Sequence, residues 1–95
     1  MPGYHRAPVS AELSVQPSSR GRESPERQVQ AAERAAAASG LAHEGGPETT
    51  LLAGERDEVL AAAVNVVAAA LDAGAHRVQV RFEASPDAPR FRPRG

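Results

Sequence analysis

The chain has 95 residues, a net charge of −1, no cysteine and only three aromatic side chains. This length suits one small domain, and the lack of cysteine excludes a disulfide framework and a thiolate metal site. Because the charge is close to neutral, no global basic field favours nucleic acid, and we expect no nucleic-acid partner. Alanine supplies 20 residues, so the predicted core is thin, which favours association into a dimer or a tetramer.

The first third of the chain predicts a strand followed by a helix. Residues 1–8 carry two prolines and a glycine and are predicted to be a flexible lead-in. Apolar and polar residues alternate over Val9–Val15, which predicts a strand. The Ser-Pro-Glu run at residues 24–26 has the pattern of a helix start, with an N-cap, a first-turn proline and an acid. We expect this helix to end near Ser39, with an apolar face formed by Val29, Ala32 and Ala36.

The middle of the chain predicts two short strands and then a long helix. The strands are expected at residues 41–46 and 50–53, and the helix over Glu58–Ala73. Asp57 is the predicted N-cap of this helix, and Gly74 has the conformational freedom to end it. At 100° per residue, its apolar side chains share a sector of roughly 140°, which predicts the buried face. Its members are Val59, Leu60, Ala63, Val64, Val67, Ala70 and Leu71.

The end of the chain predicts one more strand and then a tail. Apolar and polar residues alternate again over residues 78–83, as expected of a half-buried strand. Residues 85–95 are rich in proline and arginine and are predicted to be disordered, so the domain should span residues 9–84.

The order of these elements, β-α-β-β-α-β, predicts a ferredoxin-like α+β sandwich. We expect a four-stranded antiparallel sheet with both helices on one face. The other face would be open and polar, and it could be solvated, covered by another subunit or used by a polar ligand. The residues predicted there are Ser10, Glu12, Ser14, Gln79, Arg81 and Glu83.

The sequence lacks the signals of several classes of protein, namely secreted, membrane-spanning, metal-binding and catalytic proteins. The N-terminus has no apolar run typical of a signal peptide, and Val59–Leu71 is too short to span a bilayer, so we expect a cytoplasmic protein without a membrane partner. His5, His43 and His76 have no metal-ligand spacing, and each is interpreted as a surface histidine. No nucleophile motif or phosphate loop is present, so we expect no metal site, no cofactor and no catalytic residues.

Three segments carry a resemblance to a known family. They are SAELSVQP at residues 10–17, GPETTLLAGERDEVL at residues 46–60 and GAHRVQVRFEA at residues 74–84. In this order and spacing they resemble the thiamine-binding domain family, the small YkoF-like proteins formerly grouped as a domain of unknown function. The chain departs from the family pattern at Ala53, where the family has a glutamate, and at Ser18-Ser19, where it has a glycine.

The resemblance implies a ferredoxin-like domain that associates through its sheets and holds a ligand near the subunit interface. We therefore expect a non-catalytic protein that binds thiamine or its hydroxymethylpyrimidine part. The expected ligand-binding residues are Glu12 beside the thiazolium cation, Ser14 and Thr50 as hydrogen-bonding groups, and Arg81. Two alternatives stay open, namely a cross-strand ion pair between Glu12 and Arg81, and an oligomerisation or regulatory module with no thiamine site.

Overall fold

A computed structural model describes residues 8–85, so the predicted lead-in before Pro8 and the tail after Ser85 lie outside the described residues. Six elements follow one another in the expected order. They are β1 (Val9–Gln16), α1 (Pro25–Ala38), β2 (Ala42–Gly45), β3 (Thr49–Gly54), α2 (Arg56–Asp72) and β4 (Arg77–Ala84). The strands form one antiparallel sheet in the order β2-β3-β1-β4. This arrangement confirms the predicted ferredoxin-like α+β fold.

The core lies between the sheet and the two helices, and β1 is at its centre. The alternating apolar residues of β1 are all buried, as the sequence predicts, and Leu13 is completely inaccessible to solvent. Leu52 of β3 is the other large aliphatic residue that is almost fully buried. Most of the remaining core side chains are alanine or valine. The core is therefore thin, and its few leucines contribute a large share of the apolar burial.

Helix α1 begins at the predicted N-cap. The Oγ atom of Ser24 accepts a hydrogen bond from the backbone N–H of Arg27 at 3.3 Å, and Pro25 occupies the first turn. The predicted apolar face is buried, and it gains one polar member, Gln28, which has no exposed surface. Sequence periodicity does not identify a buried glutamine, because its burial depends on hydrogen-bond partners in a loop.

We predict that Ser24→Ala lowers the free energy of unfolding by about 1 kcal/mol, because one N–H of the first helical turn loses its acceptor. The matched control is Ser19→Ala, since Ser19 is an exposed loop residue. Urea denaturation of both variants measures the difference. Equal stability of the two variants would show that the cap contributes nothing.

Helix α2 differs from its prediction at the N-terminus. It begins at Arg56, its N-cap is Glu55, and no side chain caps the first turn, so the predicted Asp57 cap is wrong. The predicted end is confirmed, because Gly74 follows the helix with φ of 109°. This value lies in the region that glycine adopts without steric cost.

The buried face of α2 is also rotated relative to the predicted sector. Leu60, Val64 and Leu71 are 43%, 67% and 49% exposed, whereas Ala62 and Val66 are buried. Helix α1 packs against α2, and small side chains allow the two backbones to approach closely. Alanines therefore fill the interior, and large apolar residues predicted to be buried face outward. Within residues 8–85, no helix combines the length and apolarity needed to cross a membrane.

Candidate ligand site on the open sheet face

A row of four side chains crosses the open face of the sheet, with one residue from each strand. Glu12 of β1 pairs with Leu51 of β3 on one side and with Arg81 of β4 on the other. Leu51 in turn pairs with Glu44 of β2. Neighbouring strands lie about 4.8 Å apart, so the backbones of Glu12 and Glu44 are separated by roughly 10 Å. Two carboxylates therefore flank one leucine.

The charges in this row are unevenly compensated. Arg81 pairs with Glu83, two residues along the same strand, with 3.3 Å between its Nη2 atom and the Oε2 atom of Glu83. Within residues 8–85, the carboxylates of Glu12 and Glu44 make no ion pair or hydrogen bond. The alternative of a Glu12–Arg81 ion pair is therefore not what the structure shows. The row keeps two carboxylates available to a positively charged group.

An apolar groove lies beside these carboxylates. Leu51 is 38% exposed, and with Ala42 and Ala53 it lines an open cavity of about 370 Å³ that also includes Ser10 and Glu44. This volume is within the usual range for small-molecule sites. The groove thus combines an apolar floor, a hydroxyl group and nearby negative charge.

Three of the four residues predicted to bind the ligand share this face. Ser14 is half-buried and pairs with Thr49 and Gln79 in the row next to that of Glu12 and Arg81. Thr50 lies on the other face, because it pairs with the buried Leu13. The structure therefore brings Glu12, Ser14 and Arg81 together and separates Thr50 from them by the thickness of the sheet.

Thr50 belongs to a second, smaller cleft on the helix side of the sheet. Its Oγ1 atom is buried and has no hydrogen-bond partner among the described residues. The cleft has a volume of about 250 Å³ and is otherwise lined by Glu33, His43 and Gly45. The Nδ1 atom of His43 lies 3.0 Å from the carbonyl oxygen of Leu41, which accepts a hydrogen bond when this nitrogen carries the proton. This cleft has a polar lining and is separate from the groove beside Leu51 on the open face.

Sequence reasoning missed Glu44 and Leu51. The strand that carries Glu44 is only four residues long and wholly exposed, so it has no alternating pattern. In β3, two threonines precede two leucines, and this run does not identify which residue of each pair faces the core. Only the pairing register assigns Leu51 to the open face.

Comparisons with known proteins identify chains that are similar in sequence and overall fold. The family described as thiamine-binding protein matches residues 11–87. A domain of unknown function, DUF77, from Bacillus cereus is 27% identical, with a TM-score of 0.66 over 87% of this chain and 81% of the other. A Thermotoga maritima protein named for a proposed role in thiamine biosynthesis or salvage is 20% identical. Its TM-score is 0.66 over 87% of this chain and 89% of the other. Comparison with curated protein sequences gives no match.

Proposed function

Because the chain belongs to the thiamine-binding protein family, we propose that it binds thiamine, or the hydroxymethylpyrimidine part of thiamine, on the open sheet face. The row of Glu44, Leu51 and Glu12 carries the proposal, because it combines two carboxylates without partners in residues 8–85 with an exposed apolar side chain. The name of the similar Thermotoga maritima protein supports the same class of ligand.

Each half of thiamine matches part of this surface. The thiazolium ring is a flat cation, so it can lie against Leu51 while its charge is near Glu12 and Glu44. The aminopyrimidine ring is neutral and has both donors and acceptors of hydrogen bonds, which the Ser14 hydroxyl can complement. Arg81 bounds the row on the β4 side, and its ion pair with Glu83 leaves Glu12 available to the ligand.

The role proposed here is binding without turnover, with the ligand held at a subunit interface. The row offers charge and apolar contact, but within it no nucleophile is paired with a base. The groove is open, whereas small-molecule sites usually bury 70–90% of the ligand surface. A second subunit on the open face would supply the missing cover and lower the local dielectric around Glu12.

Thiamine binding is tested first by thermal unfolding. A ligand that binds only the folded state raises the melting temperature, and above its dissociation constant the rise grows with the logarithm of the ligand concentration. We expect thiamine to raise the melting temperature of the full chain. An unchanged melting temperature at saturating thiamine would favour the alternative function, an oligomerisation or regulatory module without a thiamine site.

Glu12→Gln tests the charge at the centre of the row, since it keeps the shape of the side chain. We predict that thiamine binding weakens by about 1–3 kcal/mol, as for the loss of a charge-assisted contact. The neutral hydroxymethylpyrimidine should lose much less affinity. Titration calorimetry with both ligands measures the two effects.

The matched control is Glu48→Gln, because Glu48 is an exposed carboxylate in the turn between β2 and β3. We expect this variant to bind both ligands as the unmodified chain does. An equal loss for both ligands in Glu12→Gln would indicate damage to the sheet or to an interface. No loss for either ligand would place Glu12 outside the site.

A further inference from the structure

The hydroxyl group of Thr50 is buried without a hydrogen-bond partner. Thr50 is 1% exposed, and its Oγ1 atom makes no hydrogen bond within residues 8–85. A buried hydroxyl left unsatisfied destabilises a fold by about 1–3 kcal/mol. The same residue lines the cleft of about 250 Å³ on the helix side of the sheet, which we call the Thr50 cleft. A group bound in this cleft would satisfy the hydroxyl and recover that loss.

Three elements place side chains around the Thr50 cleft. Gly45 of β2 pairs with Thr50 of β3, so both lie on the helix side of the sheet. His43 lies two residues before Gly45 and pairs with the buried Leu52, which places it on the same side. Helix α1 contacts β2 and contributes Glu33. A Cβ atom built on Gly45 would lie 2.6 Å from the Oε2 atom of Glu33, so this carboxylate lies directly against the Gly45 backbone.

His43 and Glu33 have the properties of a pair of metal ligands. The carbonyl oxygen of Leu41 can only accept, so its contact with Nδ1 of His43 is a hydrogen bond when Nδ1 carries the proton. In the neutral ring, Nε2 then holds a free lone pair. A metal-ligating histidine usually has its other ring nitrogen fixed in this way by a backbone carbonyl or a carboxylate. Glu33 makes no ion pair or hydrogen bond within residues 8–85, so its carboxylate is also available.

We propose that the Thr50 cleft binds a divalent transition-metal cation such as Zn²⁺, with Nε2 of His43 and the carboxylate of Glu33 as ligands. Water completes the coordination, and the Thr50 hydroxyl hydrogen-bonds to a metal-bound water. Imidazole nitrogen favours Zn²⁺ and its neighbours in the transition series over Mg²⁺ and Ca²⁺. The site lies on the opposite side of the sheet from the thiamine groove, so it is independent of the proposed function.

The lining of the Thr50 cleft favours a cation over other small ligands. It includes one carboxylate, one imidazole and one hydroxyl group, and no arginine, so an anion would meet a like charge. Within residues 8–85, no three histidine, aspartate or glutamate side chains form a metal-binding group. Two protein ligands and water are therefore the set that the chain offers. The sequence-based expectation of no metal site missed this pair, because Glu33 and His43 meet only through the packing of α1 on β2.

A cation at this position would link α1 to the edge strand β2. All four residues of β2 are exposed, and within residues 8–85 the strand pairs with β3 alone. Segments with few buried contacts open more easily than the core. We therefore expect Zn²⁺ to slow amide hydrogen exchange in β2 and to leave β4, the other edge strand, unchanged.

The first test is titration calorimetry of the full, chelator-treated chain with ZnCl₂. We expect saturable binding of one Zn²⁺ per chain. His43→Ala should raise the dissociation constant roughly 10-fold or more, because loss of even an outer partner of a metal ligand has an effect of this size. His76→Ala is the matched control, since His76 is an exposed histidine between α2 and β4. This variant should bind Zn²⁺ as the unmodified chain does.

The second test separates the proposed role of Thr50 from a purely structural one. Thr50→Val keeps the shape of the side chain and removes the unsatisfied hydroxyl. Urea denaturation with chelator should show a stability equal to or above that of the unmodified chain. The same substitution should weaken Zn²⁺ binding, because the metal-bound water loses its partner. A residue with only a structural role would not change stability and affinity in this way.

Four results would overturn the proposal. One is the absence of saturable Zn²⁺ binding by the unmodified chain. Another is unchanged affinity in a His43→Ala variant that keeps a native circular dichroism spectrum. Equal losses in His43→Ala and His76→Ala would indicate adventitious binding by surface histidines only. Finally, a destabilised Thr50→Val variant with unchanged Zn²⁺ affinity would show that ordered water, and no metal site, satisfies the hydroxyl.

Discussion

Leu13→Ala is expected to lower the free energy of unfolding by about 3–5 kcal/mol, the upper range for a leucine truncated in a packed core. Leu13 lies in the central strand with no exposed surface, and the core around it contains mostly alanine and valine. Small side chains attached to a rigid sheet cannot collapse into the space left by the missing atoms. The resulting cavity therefore adds to the lost burial.

Urea denaturation of Leu13→Ala and of Leu51→Ala provides the comparison. Leu51 is in the neighbouring strand but is 38% exposed on the open face. Its truncation should cost about 1 kcal/mol, because much of its surface is already in water. A domain of this size is typically stable by about 5–10 kcal/mol, so Leu13→Ala should lose a large part of its stability. Equal losses of unfolding free energy in the two variants would contradict the placement of Leu13 inside the core and of Leu51 outside it.

Gln28→Leu is expected to destabilise the fold by about 2–4 kcal/mol, because partly buried backbone groups would lose their hydrogen-bond partners. The Oε1 atom of Gln28 accepts from the N–H of Ser18, and its Nε2 atom donates to the carbonyl oxygens of Ser18 and Glu23. Each distance is 2.8 Å. One buried side chain thus holds both ends of the loop from β1 to α1, and leucine can replace none of these hydrogen bonds.

The control for this variant is Gln30→Leu, since Gln30 is exposed on the same helix. It should change stability by less than about 0.5 kcal/mol. Hydrogen exchange adds a local measurement, because the Ser18 amide should exchange faster in Gln28→Leu than in the unmodified chain. Unchanged protection of Ser18 together with unchanged stability would show that the three hydrogen bonds are not structural.

This loop is also packed closely against the end of α2. A Cβ atom added to Gly21 would lie 2.6 Å from the carbonyl oxygen of Gly74 and would also clash with the Nε2 atom of Gln28. Such distances are below normal van der Waals contact, so a side chain at residue 21 would require the loop to move. The loop, Gln28 and Gly74 therefore form one packed unit, which explains why a glutamine is buried here.

Much of the fold follows from patterns of neighbouring residues. Alternation over β1 predicts which of its side chains are buried, and the Ser-Pro-Glu run at residues 24–26 predicts the start of α1. These patterns are informative because a period of two and a capping hydrogen bond depend on residues close in the chain. The order of elements then restricts the topology to few choices, since crossovers are right-handed.

The candidate site was predictable only in part, for a reason visible in β3. Glu12, Ser14 and Arg81 lie in strands whose alternation is clear, and they share the open face as expected. Thr50 lies on the opposite face, and Leu51 takes part in the row instead. The residue types of β3 do not show which of its side chains face the helices. Only the pairing of β3 with β1 shows this.

The buried face of helix α2 is the second feature that the amino-acid sequence alone did not predict. Hydrophobicity favours burial of Leu60, Val64 and Leu71, because each residue is weighed by its own transfer free energy. In the folded chain, α1 occupies one flank of α2 and close packing selects alanines for the interior. Local sequence thus determined the elements, their order and the inward residues of β1. The face that α2 buries, and the row shared by Glu44, Leu51 and Glu12, depended on contacts between segments far apart in the chain.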